Sequence, residues 1–214
     1  RPESEGSRCM NCHMPHTSYG LFGAIRSHRI DNPNSTTTAN TGRPNACSLC
    51  HLDRPAQWAQ DHLVAWYGQT AVPLPEEERR VASGGVLALR GDAAQRAITA
   101  WHMGWRPAQE ASGRGWQAAY LAEMLTDPYA AVRRVAAASL RTLPGFADFQ
   151  YDYIASPSER DARSAAAQAT WQANSETHLT QPEALLLHPD GTLDRSATAR
   201  LRARRDTTPL RIIE

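Results

Sequence analysis

The 214-residue chain contains no lysine: all 23 of its basic residues are arginine, and 22 acidic residues balance them. With a formal net charge of +1, the composition excludes the strongly positive surface typical of nucleic-acid-binding proteins. No apolar run approaches the roughly 20 residues that a membrane-spanning helix needs. Aromatic residues make up only 7% of the chain, but hydrophobic residues reach 41%, which is enough for a helical core.

The chain also lacks an initiator methionine and a recognisable signal peptide. We therefore expect residue 1 to be a processed or truncated start. Residues 1–8 are polar and show no periodic pattern, so little of this chain precedes the first motif described below. We expect a missing upstream domain or another subunit to cover the N-terminal side of that motif.

Cysteine is absent outside two short segments, which repeat one pattern: CMNCH at residues 9–13 and CSLCH at residues 47–51. Cys-x-x-Cys-His is the attachment signature of a c-type haem. Two thiols one helical turn apart bond to the two vinyl groups, and the adjacent histidine binds the iron as its proximal ligand. The pattern predicts two covalently attached haems c, held by Cys9, Cys12, His13, Cys47, Cys50 and His51.

Three other uses of these cysteines stay open. Two Cys-x-x-Cys pairs are the commonest ligands of a structural zinc, and two disulfides or a thioredoxin-like redox pair are also compatible with the spacing. Zinc does not require a histidine after each pair, however. Histidine is 8 of 214 residues, so chance would place one after both pairs roughly once in seven hundred cases, (8/214)². This favours haem.

Between the motifs, residues 13–46 are rich in glycine, proline and polar residues, which predicts mostly irregular backbone. A loop of this length is explained if it wraps a haem, because the macrocycle supplies the buried apolar mass. His16 and His28 lie in this stretch and are the candidates for distal iron ligands. His62, eleven residues beyond the second motif on a predicted helix, is a further candidate.

Several stretches together resemble a known family: CMNCHMP (9–15), RSHRIDNP (26–33), PNACSLCHLD (44–53), WA (58–59) and WYG (66–68). They are similar to the C-terminal haem pair of bacterial multihaem cytochromes c related to cytochrome c554, which often continue into HEAT or tetratricopeptide repeats. The resemblance implies that His28, which takes the place of the histidine between the family's motifs, is a distal ligand. It also implies export to the periplasm or the cell exterior. Family members usually carry further haem motifs upstream, so we expect a fragment or a shortened relative.

The rest of the chain has the apolar periodicity of helices. We predict helices over residues 56–67, 76–91, 94–105, 116–125, 129–143 and 158–172, the last with Ser158 as its N-cap. The sequence after Asp127-Pro128 resembles the second helix of a HEAT repeat. Trp58 and Trp66 are the tryptophans expected to flank a haem, whereas we expect surface or core positions for His102, His178 and His188.

These observations predict a mainly α protein: a loop-rich dihaem segment (1–55), a short HEAT-like α-solenoid (56–175) and a C-terminal extension (176–214). The favoured function is electron transfer, with the helical repeats as a scaffold for redox proteins, other cytochrome subunits or copies of the chain. An electron carrier rather than an enzyme is therefore expected. The alternatives are an oxidoreductase that acts on a small nitrogen or sulfur compound at an open haem iron, and a sensor in which haem is mainly structural.

Overall fold

Helices dominate the structure, as the sequence predicts. The computed structural model describes residues 3–174 and 181–208 of the chain. In those two ranges, no helix combines the length and the apolar character needed to cross a membrane. His178 and residues 209–214 of the predicted C-terminal extension lie outside the described residues.

The motif segment contains more regular structure than predicted. Residues 13–46 were expected to be mostly irregular, but they include a β-hairpin and a helix. Asn34 caps the start of that helix with its side chain, and Gly42 ends it with a φ of 67°. The elements up to the second motif are a 3-10 helix (Glu5–Ser7), α1 (Cys9–His13), β1 (His16–Gly20), β2 (Gly23–Arg26), α2 (Ser35–Thr41) and α3 (Ala46–Cys50).

The hairpin is closed by a two-residue turn, with Gly20 paired to Gly23 across the strands. Its central residues, Leu21 and Phe22, have φ values of 50° and 58°. Positive φ at both positions is the requirement of a type I′ turn, which Asn-Gly normally fills. The turn is therefore built from residues that give no turn signal in the sequence.

Nine further helices follow in the part of the chain that the structure describes: α4 (Ala56–Tyr67), α5 (Glu76–Arg80), α6 (Ser83–Arg90), α7 (Ala93–Gly104), α8 (Arg106–Ser112), α9 (Gln117–Met124), α10 (Ala130–Leu140), α11 (Pro157–Asn174) and α12 (Arg195–Arg202). The predicted helix over residues 76–91 is two helices, broken at Val81. Helix α8 was not predicted. At the start of α11 the hydroxyl of Ser156, not Ser158, pairs with the backbone N–H and carboxylate of Glu159.

The main core lies between helices α6, α7, α9, α10 and α11. Helix α7 packs against α6 and α10, and α9 packs against α10 and α11. Small residues allow the closest of these approaches: a Cβ built on Gly104 of α7 would lie 2.7 Å from the Cα of Ser139 on α10. Fully buried side chains fill the interior, among them Met103, Trp116, Tyr120, Leu121, Leu125 and Leu140.

A buried ion pair connects the helical core to the C-terminal segment. The Arg96 guanidinium donates to both carboxylate oxygens of Asp127, at 2.8 and 3.0 Å, and both side chains are almost completely buried. Arg205 reaches the same carboxylate at 3.4 Å. The segment after α12 is therefore held to α7 and to the turn before α10.

The motif segment folds directly onto the helices. Leu49 of α3 packs with Ala24 of β2 and Ile98 of α7 in a small apolar cluster. The backbone N–H of Gly84 donates to the carbonyl of Leu52 at 2.9 Å. Residues before the predicted boundary at 55/56 thus make tertiary contacts with residues after it.

Candidate functional site

Helix α1 presents the first motif, with Cys9 exposed and Cys12 half-buried one turn later. Helix α1 is only five residues long, and a side chain of β2 adds hydrogen bonds to a carbonyl of the helix and to that of its C-cap residue, Met14. The Arg26 guanidinium donates to the carbonyls of Met10 at 2.9 Å and Met14 at 3.1 Å. The hairpin therefore fixes the end of α1 from which His13 projects.

His13 is held in one tautomer by its own loop. Its Nδ1 lies 2.9 Å from the carbonyl oxygen of Asp31, and the backbone N–H of Asp31 donates to the carbonyl of His13 at 2.9 Å. A carbonyl only accepts hydrogen bonds, so the Nδ1 of His13 carries the proton and Nε2 keeps its lone pair. This is the arrangement that iron- and zinc-binding histidines use.

Helix α3 presents the second motif. The side chain of Asn45 caps it by accepting from the backbone N–H of Cys47 at 2.9 Å. Ala46, Ser48 and Leu49 face the protein interior. Burial of those three residues leaves Cys47 and Cys50 on the remaining, half-buried face of the helix.

The two motifs converge on one cavity of about 1260 Å³. Helices α1 and α3 contact each other, and the motif residues that line the cavity are Cys12, His13, Cys47, Cys50 and His51. A typical small-molecule pocket measures about 300–1,000 Å³, so this cavity has room for a large group. Two segments 34 residues apart in the sequence (47 − 13) thus form a single site.

The cysteines of the site are free thiols. Burial, with a smaller contribution from the nearby Cys12, raises the pKa of Cys47 and of Cys50 to about 11. The pKa of Cys12 is also raised, first by burial and then by Cys9. These thiols are therefore protonated at neutral pH and close enough to influence one another.

The opposite wall of the cavity is an aromatic column on α4. The rings of His51 and Trp58 lie 4.6 Å apart, those of Trp58 and His62 4.3 Å, and those of His62 and Trp66 4.6 Å. Trp66 and Tyr67 are exposed at the end of this column. Burial is the main cause that lowers the pKa of His51, and Arg54 and His62 add to it, so His51 is neutral at neutral pH.

Helix α8 closes the cavity on another side with Arg106, Pro107, Glu110 and Ala111. Arg106 pairs with Glu110 at 2.7 Å, and both side chains are exposed. A guanidinium at the mouth of the cavity is suited to bind a carboxylate. No sequence pattern indicates that this helix belongs to the site, whereas the i, i+4, i+8 spacing of Trp58, His62 and Trp66 was an available signal.

Two of the three predicted candidates for distal ligands, His16 and His28, do not line this cavity, whereas the third, His62, does. Among the described residues, His28 is exposed in the bend after β2, and the cavity lining omits it. His16 also lies elsewhere: its Nδ1 pairs with the carbonyl of Ala24 at 3.1 Å, and its ring lies 4.8 Å from Trp101. Cys9 is exposed and is not part of the cavity lining either. The ligand roles of His16 and His28 remain predictions.

His16 belongs to a separate cluster against α7. Its ring lies 5.4 Å from that of Trp105 and 6.3 Å from that of His102. Burial, with a smaller contribution from His16, lowers the pKa of His102 to about 3. His102 is thus a core histidine, as predicted, whereas His188 is exposed.

The zinc alternative requires several ligands to converge on one ion. Within residues 3–174 and 181–208, no group of three or more His, Cys, Asp or Glu side chains is placed to hold a metal ion. A second cavity, of about 680 Å³ between α9, α11 and α12, has no motif residue in its lining.

Comparison of the chain with protein-family models, with characterised proteins and with solved structures gave no match.

Proposed function

We propose that the chain is an electron-transfer protein that binds two haems c covalently in the cavity shared by its two motifs. The observation that carries the proposal is the convergence of both Cys-x-x-Cys-His segments on one aromatic cavity of about 1260 Å³. A structural zinc needs no space of this size and no aromatic wall. Two macrocycles need such space, and aromatic side chains suit their flat apolar faces.

The residues present fit the group. Cys9 with Cys12 and Cys47 with Cys50 would anchor the two macrocycles through thioether bonds. The Nε2 of His13 is free to bind iron because its Nδ1–H is committed to the Asp31 carbonyl. His51 is kept neutral by burial, which is the form that binds a metal.

The remaining cavity residues would set the surroundings of the haems. Trp58 and Trp66 offer flat apolar surfaces and exclude water, and Arg106 offers its guanidinium to a propionate. Bound in this way, each haem iron would accept and release one electron. Axial ligation, burial and nearby charge are the means by which the protein adjusts the potential of such a site.

We further propose that helices α4 to α11 form a short HEAT-like solenoid that docks redox partners, such as other cytochrome subunits or copies of the chain. The successive packing of α6, α7, α10, α9 and α11 supports a repeat-like array. Covalent haem attachment also implies that the protein acts outside the cytoplasm, in the periplasm or at the cell exterior.

Haem stoichiometry tests this proposal. The chain is produced in cells with an active haem-attachment system, and its mass is measured after denaturation, so that only covalent haem is counted. We expect two haems per chain, one after Cys9→Ser with Cys12→Ser, and one after Cys47→Ser with Cys50→Ser. Met10→Ala, a change inside the first motif at an exposed side chain, should keep both. A haem-free protein that binds zinc would overturn the proposal.

Carbon monoxide then distinguishes electron transfer from the alternative, an oxidoreductase acting on a small nitrogen or sulfur compound. Carbon monoxide binds only to ferrous iron with an open coordination position. An electron carrier with two capped irons should give the same reduced spectrum with and without the gas. A shifted Soret band in the parent protein would favour the oxidoreductase.

A further inference from the structure

His62 occupies the centre of the aromatic column on α4. Trp58, His62 and Trp66 are four residues apart, so they project from one face of the helix, and all three line the cavity of the two motifs. The ring of His62 lies between the two indoles, 4.3 Å from one and 4.6 Å from the other. An imidazole is thus placed among apolar groups at the haem cavity.

The tautomer of His62 is fixed in the same way as that of His13. Its Nδ1 lies 2.8 Å from the carbonyl oxygen of Trp58, one helical turn earlier. Because that oxygen only accepts, the proton is on Nδ1 and the lone pair is on Nε2. A histidine whose Nδ1–H is held by a carbonyl is prepared to bind a metal through Nε2.

The other candidates for a distal ligand are placed less well. His28 is exposed and His16 packs against Trp101, so neither lines the cavity among the described residues. Met10, 51% exposed, lies within the first motif. Of the histidines that the structure describes outside the two motifs, His62 alone is in the cavity lining.

We propose that His62 is the distal ligand of one of the two haem irons. This inference rests on the proposed function, because it requires haem in the cavity. Of the three candidates that the sequence offered, it chooses the one on α4 over His16 and His28 in the loop between the motifs. It also gives the aromatic column a second purpose: the two indoles hold the imidazole in place on both sides.

The test compares single variants of the haem-loaded chain by covalent haem content, carbon monoxide binding and spin state. His62→Ala should keep two haems and bind about one more carbon monoxide per chain than the parent, because one iron loses its sixth ligand. Added imidazole should reverse this. His188→Ala, a change at an exposed histidine far from the motifs, should match the parent.

A second variant keeps the test decisive if His62→Ala does not accumulate. His62→Met replaces the imidazole with a thioether, and His/Met ligation raises the potential of a c-type haem. One of the two haems should therefore titrate at a higher potential, with the absorption band of a methionine–iron bond. Two unchanged potentials would overturn the proposal. It would also be overturned if His28→Ala opened an iron while His62→Ala left the parent spectrum unchanged.

These outcomes separate this inference from the proposed function. A parent protein without covalent haem would refute the proposed function. A parent with two haems, together with a His62→Ala variant whose irons stay low-spin and do not bind carbon monoxide, would refute only the assignment of His62.

Discussion

Asp127→Ala should lower the free energy of unfolding more than the removal of any charge on the surface. The Asp127 carboxylate receives two hydrogen bonds from Arg96, at 2.8 and 3.0 Å, and a third from the backbone N–H of Tyr129 at 2.9 Å. Both members of the pair are at least 97% buried. The substitution therefore leaves a guanidinium without its counter-charge inside the protein.

Breaking a buried ion pair by removal of one partner costs about 3–5 kcal/mol, because the other charge stays buried. Arg96 retains hydrogen bonds to the carbonyls of Gly91 at 2.7 Å and Asp206 at 3.3 Å. We therefore expect the lower end of the range, about 3 kcal/mol. With a urea m-value of about 2–3 kcal/mol/M for a chain of this size, the unfolding midpoint should fall by about 1–1.5 M.

Urea unfolding followed by far-ultraviolet circular dichroism measures this shift. Glu76→Ala is the control, since it removes an exposed partner of Arg80 at 3.4 Å and should cost less than about 0.5 kcal/mol. The double variant Arg96→Met with Asp127→Leu should be more stable than Asp127→Ala, because the fully buried charge is gone. A loss below about 1 kcal/mol for Asp127→Ala would refute the argument.

Three further predictions concern the core and the hairpin. The folded protein keeps His102 neutral with a pKa of about 3, while the unfolded chain binds a proton below about pH 6.5. Between pH 7 and pH 5, protonation of this histidine in the unfolded chain should therefore lower the free energy of unfolding by about 2 kcal/mol. In His102→Gln the urea midpoint should depend correspondingly less on pH. Gly104→Ala should cost about 1–3 kcal/mol, because its Cβ would meet the Cα of Ser139 at 2.7 Å, whereas Gly115→Ala, with nothing within 4 Å, should cost little; equal urea midpoints would contradict this. Leu21→Asn should stabilise the protein by about 1 kcal/mol, a rise of about 2–4 °C in Tm, since Leu21 is 95% exposed with a φ of 50° and Asn tolerates that conformation better; an unchanged Tm would show that the turn carries no strain.

Sequence patterns predicted the helices best where periodicity and capping agree. Helix α4 has the predicted bounds, and Asp92 forms a capping box with Gln95 at the start of α7. The hairpin was missed because Leu21 and Phe22 are poor turn residues whose conformation is imposed by the strands on either side. Helix α2 was missed because it consists largely of threonine, which has a low helix propensity.

The motif residues of the candidate site could be identified from the sequence, but their assembly into one cavity could not. The six motif residues were recognised from local spacing alone. That the motifs share a cavity depends on contacts between residues far apart in the sequence, such as the Gln69 amide that donates to the Pro33 carbonyl at 2.8 Å. The same applies to α8, whose Arg106 and Glu110 carry no motif. No local pattern encodes such contacts, because they follow from the packing of whole helices.

Because α8 forms part of the cavity wall, the wall is complete only after α8 has been synthesised. A chain is made from its N-terminus, and 60 residues (111 − 51) separate His51 from Ala111, the last residue of the lining. At about 5–20 residues per second, roughly 3–12 s of synthesis pass between them. During that interval both motifs are complete while one side of the cavity has not yet been made. Access to the thiols of Cys47 and Cys50 is therefore greatest in the growing chain, and it decreases when α8 closes over them.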